Sequence, residues 1–323
     1  MPRRRTLLAV LPTAALATHA RAQRGFPERP VRIIVPYGPG GSSDIVARLL
    51  AQRAAEITGQ SFVVENRGGG ASIPGTHAVA TAAPDGHTIG TADNALGVNP
   101  ALFRDRMPFD TERDIAALGL AVTAPLLLLA HPAAPARTLA DLLAGARARP
   151  GSVAISHGGI GTPTHLAAIQ LQLATGIEFN LVGYRGGGPQ LTGMVTGEVP
   201  YGIVAISSAS GHVQAGRLRA IGITSSARSA LLPDVPTTAE AGLQAVDLVG
   251  WWGFIMPAGV PAEIVDRLHR VLIAPAREAA LRTRLEGLGY AVVAGPPSDF
   301  AALIRREVAQ WRDVVARVGI TVE

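Results

Sequence analysis

The chain has 323 residues and contains no cysteine. It therefore has no disulfide framework, no thiolate metal site and no lipid-modified N-terminal cysteine, a pattern that suits a protein exported to an oxidising compartment. Lysine is absent as well, since all 29 basic residues are arginine. This second absence excludes a Walker-A lysine, a Schiff-base lysine and an anchor for pyridoxal phosphate.

Charged residues are scarce, at 16% of the chain against 48% hydrophobic residues. This composition predicts a folded chain with a large core, organised as two domains. Of the five net positive charges, four come from Arg3, Arg4, Arg5 and Arg21, so residues 23–323 carry a net charge of only one. Without an excess of positive charge, the sequence gives little support for nucleic-acid binding.

The sequence signatures of common hydrolases are also missing. Eight histidines are scattered without a His-Glu-x-x-His motif, and no Gly-x-Ser-x-Gly elbow is present. Ser156, His157 and His165 lie close together in sequence, but no acid accompanies them to orient a histidine. We therefore predict no catalytic residue, no metal and no cofactor, and a periplasmic hydrolase is the least favoured function.

The N-terminus has the pattern of an export signal. Arg3–Arg5 precede the apolar stretch 7–17, and Ala20-Arg21-Ala22 forms a small-residue cleavage site before Gln23. A membrane anchor is disfavoured because the apolar stretch is shorter than the roughly 20 residues that span a bilayer. Residues 1–22 are thus predicted to be a cleavable signal peptide that directs the chain to the periplasm, by the general or the twin-arginine route.

Two similar segments, 31–44 and 153–166, each run from an apolar strand into a glycine-rich loop that bears hydroxyl groups and opens a helix. Glycine lets the backbone approach a ligand closely, and a helix N-terminus offers unpaired N–H groups and a partial positive charge. Each segment is a candidate site for a carboxylate or a phosphate. The alternative for a single loop is an ordinary tight turn, but the pairing predicts one anion held from two sides.

The remaining chain alternates strand and helix patterns, which predicts an α/β fold. The apolar stretch 115–130 contains Gly119, Thr123 and Pro125, so we expect two strands there, at 117–122 and 126–130. The chain is predicted to cross between the two lobes twice, near 117–130 and near 246–256. Lobe 1 would comprise 23–122 plus 252–323, and lobe 2 would comprise 123–251. Segment 297–318 has an apolar stripe of period 3.6 and is predicted to form a helix.

Five segments together resemble a known family: 29–48, 59–67, 84–86, 99–100 and 232–242. They are similar to the tripartite tricarboxylate transporter solute receptors, the Bug-type periplasmic binding proteins. The resemblance implies a type II, Venus-flytrap binding protein with two lobes, each a mostly parallel sheet flanked by helices. It implies a monomer that closes on a small organic carboxylate and delivers it to membrane permease subunits, without membrane insertion of the mature chain. A sensor partner of a signalling system is the alternative.

The resemblance also implies which residues contact the ligand. In the first lobe they are Tyr37, Gly38, Gly40, Gly41, Ser42, Ser43, Asp44, Asp93 and Asn94; in the second they are Ser156, His157, Gly158, Gly159, Gly161, Thr162, His165, Tyr184, Arg185, Gly186, Gly187 and Ile206. Some of these have structural alternatives: Asp44 suits a helix start, and His165 suits hydrogen bonding at a helix N-terminus. Arg185 is either a solvated arginine or a bidentate partner of the carboxylate. Trp251 and Trp252 are expected to pack at the hinge rather than to stack on the ligand.

The sequence departs from the family pattern after Gly197-Glu198-Val199. The family usually places an acidic residue soon after such a motif and often another about six residues later, but here Pro200 and Ala205-Ile206 occupy that region. An acid at those positions could pair with a ligand ammonium group. Its absence there argues against an amino acid ligand and favours a plain or aromatic carboxylate.

Overall fold

The computed structural model describes residues 25–318, so the predicted signal peptide lies outside the described residues. The strands are β1 (Val31–Val35), β2 (Phe62–Asn66), β3 (Thr88–Ala92), β4 (Ile115–Ala130), β5 (Ala154–His157), β6 (Asn180–Gly183), β7 (Tyr201–Ala205), β8 (Arg219–Ile223), β9 (Val249–Pro257) and β10 (Ala291–Val292). The α-helices are α1 (Ser42–Thr58), α2 (Ile73–Ala80), α3 (Ala95–Phe103), α4 (Leu139–Ala148), α5 (Pro163–Thr175), α6 (Gly187–Val195), α7 (Ile206–Gln214), α8 (Ala262–Leu268), α9 (Ala279–Gly287) and α10 (Pro297–Val318).

The strands follow the order β2-β1-β3-β9-β4-β7-β5-β6, with β8 and β10 also paired to β4. In the first lobe β1 is parallel to β2 and β3, and in the second lobe β5 is parallel to β6 and β7. The long strands β4 and β9 are antiparallel to each other and connect the two groups. The predicted α/β fold with two lobes is confirmed, and its sheets are mixed because β4 and β9 join parallel groups through antiparallel pairs.

Strand β4 differs from the prediction, because 115–130 is one strand of 16 residues rather than two. It pairs with β9 as far as Pro125 and with β7 from Leu126 onward. Pro125 therefore lies where the strand changes partner, so its missing N–H does not interrupt either run of pairing. The pairing of β4 with β9 also shifts register on either side of Gly119 and Leu120, so the strand continues through Gly119 without a break. The predicted lobe boundaries, 122/123 and 251/252, fall within β4 and β9.

The core is continuous through both lobes and includes the second half of β4, where Leu126–Ala130 are at most 2% exposed. Helix α10 spans the predicted residues 297–318. Of its predicted stripe, Phe300, Ile304, Val308, Trp311 and Val315 are buried and Leu303 is half-buried, whereas the burial of Val318 is not described. A smaller apolar cluster packs this helix against the first lobe. Among the helices of residues 25–318, none is long and apolar enough to cross a membrane.

Candidate functional site

A cavity lies between the lobes, at the carboxyl ends of β1, β3, β5 and β7. The space open to the centres of water molecules is about 40 Å³, enough for a few waters or a compact ligand. We call it the central cavity. Its lining residues are Tyr37, Gly41, Ser42, Ser43, Asp93, Gly158, Thr162, Pro163, Thr164, Gly187, Gln190, Val204, Ala205, Ser208 and Trp252.

Four helices begin at this cavity: α1 from the first lobe, and α5, α6 and α7 from the second. The residues that precede α1, α6 and α7 are Gly41, Gly186 and Ala205, and none of them caps its helix with a side chain. The first N–H groups of a helix have no partner inside the helix and carry its partial positive charge. The cavity wall therefore concentrates unpaired donors and positive potential, which suits an anion.

Asp44 holds the loop that follows β1. Its carboxylate accepts hydrogen bonds from Gly40 N at 3.0 Å, from Asn66 Nδ2 at 2.9 Å and from Arg48 Nε at 3.0 Å. Burial alone would raise its pKa, but the hydrogen bonds from Arg48, Gly40 and Asn66 lower the pKa of Asp44 below the ordinary value. Asp44 does not line the central cavity; it fixes the loop whose backbone does.

Two buried histidines hold the loop that follows β5. Nδ1 of His157 accepts from Gly159 N, and Nδ1 of His165 accepts from Gly161 N, each at 3.2 Å. The two rings lie 4.5 Å apart. Burial lowers the pKa of His157 to about 4, and burial together with the neighbouring His157 lowers the pKa of His165 to about 3. Both rings are therefore neutral acceptors near pH 7.

Among residues 25–318, Asp93 is the one acid that lines the central cavity, and it lies at the end of β3. Its Oδ1 accepts from the hydroxyl of Tyr37 at 2.8 Å and from Ala95 N at 3.0 Å, whereas Oδ2 has no hydrogen-bond partner among residues 25–318. Burial raises the pKa of Asp93 to about 6, against the lowering effect of those two hydrogen bonds. The neighbouring Asn94 faces elsewhere and bonds Trp251 N and Glu307.

Gln190, in α6, lines the cavity and is completely buried. Its Nε2 donates to Ser156 O at 2.9 Å and to Ile203 O at 2.8 Å, which fixes the orientation of the amide. Its Oε1 has no partner in the described part of the chain. The sequence carried no signal for this residue, because a glutamine in a helix is usually solvated.

The two lobes touch around the cavity. Gly38 N donates to Arg185 O at 2.9 Å, and Ser42 Oγ lies 2.7 Å from Ser207 Oγ and 3.2 Å from Ser208 Oγ. Gly188 lies against the carbonyl of Pro39 so closely that a Cβ there would overlap it. In this structure the two lobes are thus closed against each other around the cavity.

A second cavity of about 230 Å³, here called the side cavity, adjoins the central one, since Tyr37 and Gly158 line both. Its remaining lining residues are Gly69, Gly70, Ala71, Ser72, Gly159, Ile160, Gly183, Tyr184 and Arg185. The ring of Tyr184 extends toward Gly193 and Glu198, so its hydroxyl lies outside this cavity.

The structure brings about half of the predicted site residues to a cavity wall. Those at the central cavity are Tyr37, Gly41, Ser42, Ser43, Asp93, Gly158, Thr162 and Gly187, and Gly159, Tyr184 and Arg185 line the side cavity. The others line neither cavity: Gly38, Gly40, Asp44, Asn94, Ser156, His157, Gly161, His165, Gly186 and Ile206. Ligand contact by any of these residues stays a prediction.

Sequence reasoning missed several wall residues: Pro163, Thr164, Gln190, Val204, Ala205 and Ser208. Trp252, expected to pack at the hinge, lines the cavity as well. The lack of an acid around Pro200 and Ala205 does not by itself exclude an amino acid ligand, because that region is only part of the cavity wall. Asp93 supplies an acid to the same cavity from another strand. In the part of the chain that the structure describes, no three His, Asp or Glu side chains group to hold a metal ion.

Comparison with known proteins matches residues 46–320 to the model of the tripartite tricarboxylate transporter family receptor. BugT of Bordetella pertussis is 33% identical over 95% of this chain and 94% of its own. Two similar solved structures come from Rhodopseudomonas palustris. One, solved with adipate, is 30% identical, with a TM-score of 0.87 over 92% of this chain and 99% of that one. The other, MatC with bound malate, is 32% identical. Its TM-score is 0.85, over 90% of this chain and 100% of that one.

Proposed function

The chain belongs to the tripartite tricarboxylate transporter receptor family, and we propose that it closes on a small organic carboxylate in the periplasm and delivers it to membrane permease subunits. The family consists of periplasmic solute-binding receptors and not of enzymes. The two structural relatives with adipate and malate support a carboxylate ligand.

The observation that carries the proposal is the meeting of four helix N-termini at one small cavity. Three of these helices lack a side-chain cap, so their first amides are free to hydrogen-bond a ligand. A carboxylate would act as the missing cap and would interact favourably with four helix dipoles at once. No arginine of residues 25–318 lines the central cavity, so backbone N–H groups and hydroxyls would hold the anion.

The contacts between the lobes support a clamp mechanism. Residues from both lobes line the same cavity, so a bound anion would bridge them and favour the closed form. The permease would then recognise the closed shape that a bound ligand favours. Residues 1–22 would serve as the export signal and be removed after crossing the membrane.

Calorimetry and thermal unfolding of the chain from Gln23 onward would test ligand binding. The panel should contain mono-, di- and tricarboxylates, each beside the neutral amide with the same carbon skeleton. A true ligand at 100 times its dissociation constant should stabilise the fold by about 2.7 kcal/mol, and its amide should not. Equal stabilisation by acid and amide, or no binding by any carboxylate, would refute the anion site.

The permease role needs a test in cells. Deletion of the receptor gene should abolish high-affinity uptake of the identified ligand, and a plasmid copy should restore it. If uptake persists while ligand-dependent transcription is lost, the receptor serves a signalling system instead.

A further inference from the structure

Two acceptor oxygens in the central cavity have no protein donor in the described residues. One is Oδ2 of Asp93, whose other oxygen already accepts two hydrogen bonds. The other is Oε1 of Gln190, whose amide cannot turn over without losing two good hydrogen bonds to carbonyl groups. Asp93 comes from the first lobe and Gln190 from the second, and both side chains are at least 96% buried.

A plain carboxylate cannot satisfy these atoms while Asp93 is ionised. Its oxygens are acceptors, so they match the helix N–H groups and the serine and threonine hydroxyls but repel further acceptors. Bound alone, it would leave Oε1 of Gln190 buried without a donor and would offer no donor to Oδ2 of Asp93, and a buried unpaired acceptor carries a full desolvation penalty. The closed cavity therefore presents donors for one part of a ligand and acceptors for another.

Charge leads to the same conclusion. In the described part of the chain, Asp93 is the only aspartate, glutamate, histidine or arginine that lines the central cavity. A carboxylate ligand beside the ionised Asp93 places two negative charges in one small cavity, where water screens them poorly. A positive or hydrogen-donating group on the ligand removes this conflict.

We propose that Asp93 and Gln190 select a carboxylate that carries a hydrogen-bond donor, an ammonium or a hydroxyl group, close to the carboxylate carbon. An ammonium group is the better match, because its three protons can serve both acceptors and its charge offsets that of Asp93. The inference rests on the proposed carboxylate-receptor function and specifies the ligand class of the same site.

Two ligand series of matched shape test the selection on the unaltered chain. Propionate, lactate and alanine share three carbons, and succinate, malate and aspartate share four; within each series a hydrogen, hydroxyl or ammonium occupies the same position. Titration calorimetry at pH 7.5 should give at least about tenfold tighter binding for the ammonium or hydroxyl member than for the plain acid. Any other carboxylate found to bind should be compared with its own analogue lacking the donor.

The variant Asp93→Asn separates charge from shape. Asparagine Oδ1 can still accept from Tyr37 and Ala95, so the fold should survive, and thermal unfolding without ligand checks this. The ammonium ligand should bind about tenfold more weakly, whereas its plain analogue should bind equally or more tightly because a repulsion has gone. Asp247→Asn, at an exposed aspartate far along the chain, makes the same change in net charge and should alter neither.

The outcomes are distinct. Equal affinities within each series, or a plain acid that binds more tightly than its analogues, would overturn the selection and leave the carboxylate receptor intact. Equal loss of both ligand types in Asp93→Asn would also overturn it. If no carboxylate binds at all, the proposed function fails, and the selection fails with it.

Discussion

The hydroxyl of Ser42, at the start of α1, lies 2.7 Å from the hydroxyl of Ser207, in the first turn of α7, so one hydrogen bond joins the two lobes beside the cavity. The hydroxyl of Tyr290 holds Ser42 in place by donating a hydrogen bond to the backbone carbonyl of Ser42 at 3.0 Å. Because this bond connects helices that follow strands of different lobes, it can form only when the clamp is closed. It therefore contributes to the closed state and not to the fold of either lobe.

We expect Ser207→Ala to weaken ligand binding by about fivefold, the equivalent of one buried neutral hydrogen bond of about 1 kcal/mol. Ser207 does not line the cavity, so the loss would come from closure and not from ligand contact. Calorimetry should show it with the best ligand of the panel. Ser210→Ala, at another buried serine of α7, is the matched control and should leave the affinity unchanged. A similar loss in both variants would point to damage to α7 instead.

Gly188→Ala should block closure more severely. A Cβ at this position would overlap the carbonyl oxygen of Pro39, which belongs to the other lobe. We expect more than a tenfold loss of ligand affinity, since relieving a backbone overlap between packed segments costs about 1–3 kcal/mol or more. Small-angle X-ray scattering should show that ligand no longer reduces the radius of gyration.

The control for this substitution is Gly211→Ala, which lies within α7, where the added Cβ would meet no described atom within 4 Å apart from its chain neighbours and the backbone of its own helix. It should keep full affinity and raise stability by up to about 1 kcal/mol, because alanine favours the helix. Normal closure by Gly188→Ala would mean that the tight contact is not required for ligand binding.

The sequence was sufficient to predict the fold where patterns are local. The stripe of α10 and the two glycine loops follow a regular spacing, and the family resemblance indicated two lobes. It was insufficient for α3, which is buried on nearly all sides and contains Pro100, so its sequence has no polar face to reveal a helical period. It was equally insufficient for α9, where only Leu285 is buried.

The cavity wall shows the same limit. The loops after β1 and β5 were predictable from glycine and hydroxyl residues, but which of their atoms face the cavity depends on buried partners. Asp44, His157 and His165 prove to hold loop amides by hydrogen bonds, an arrangement that pairs residues across turns. Gln190 and Ser208 reach the wall only because α6 and α7 are packed against β5 and β7 in three dimensions.

Glu307 should make stability depend on pH. Burial raises its pKa to about 7 in the folded chain from an ordinary 4.5, with Asp93 adding to the rise and Trp251, Asn94 and Arg306 opposing it. The folded state thus holds a proton that the unfolded state releases between pH 4.5 and 7. Stability is therefore lost as the pH rises through this window.

Glu307→Gln should remove this loss. Glutamine Oε1 can still accept from Trp251 Nε1 and Asn94 Nδ2, which now donate to Glu307 Oε1 at 2.8 and 3.0 Å. Relative to the unaltered chain, the variant should change little at pH 4.5 and gain about 1–3 kcal/mol in the free energy of unfolding by pH 8.5. Urea titrations at the two pH values measure the difference. A constant difference across the range would show that Glu307 is ionised in the fold.

The paired histidines, His157 and His165, should make the fold less stable as the pH falls. Because the folded pKa values of His157 and His165, about 4 and about 3, lie below the ordinary 6.5, the unfolded chain binds more protons as the pH falls from 6.5 to 4. Each ring should then cost up to about 1.4 kcal/mol of stability per pH unit on acidification.

In His165→Asn, the amide oxygen can replace Nδ1 as acceptor for Gly161 N but cannot titrate. We expect the variant to be less stable than the unaltered chain at pH 7 and to recover at least about 1 kcal/mol of that deficit by pH 4.5. His131→Asn is the control, since Nδ1 of His131 also accepts from a backbone amide, that of Ala133, at 3.2 Å, in a more open position. A deficit that stays constant with pH in His165→Asn, or that shrinks equally in the control, would contradict a role for burial of the pair.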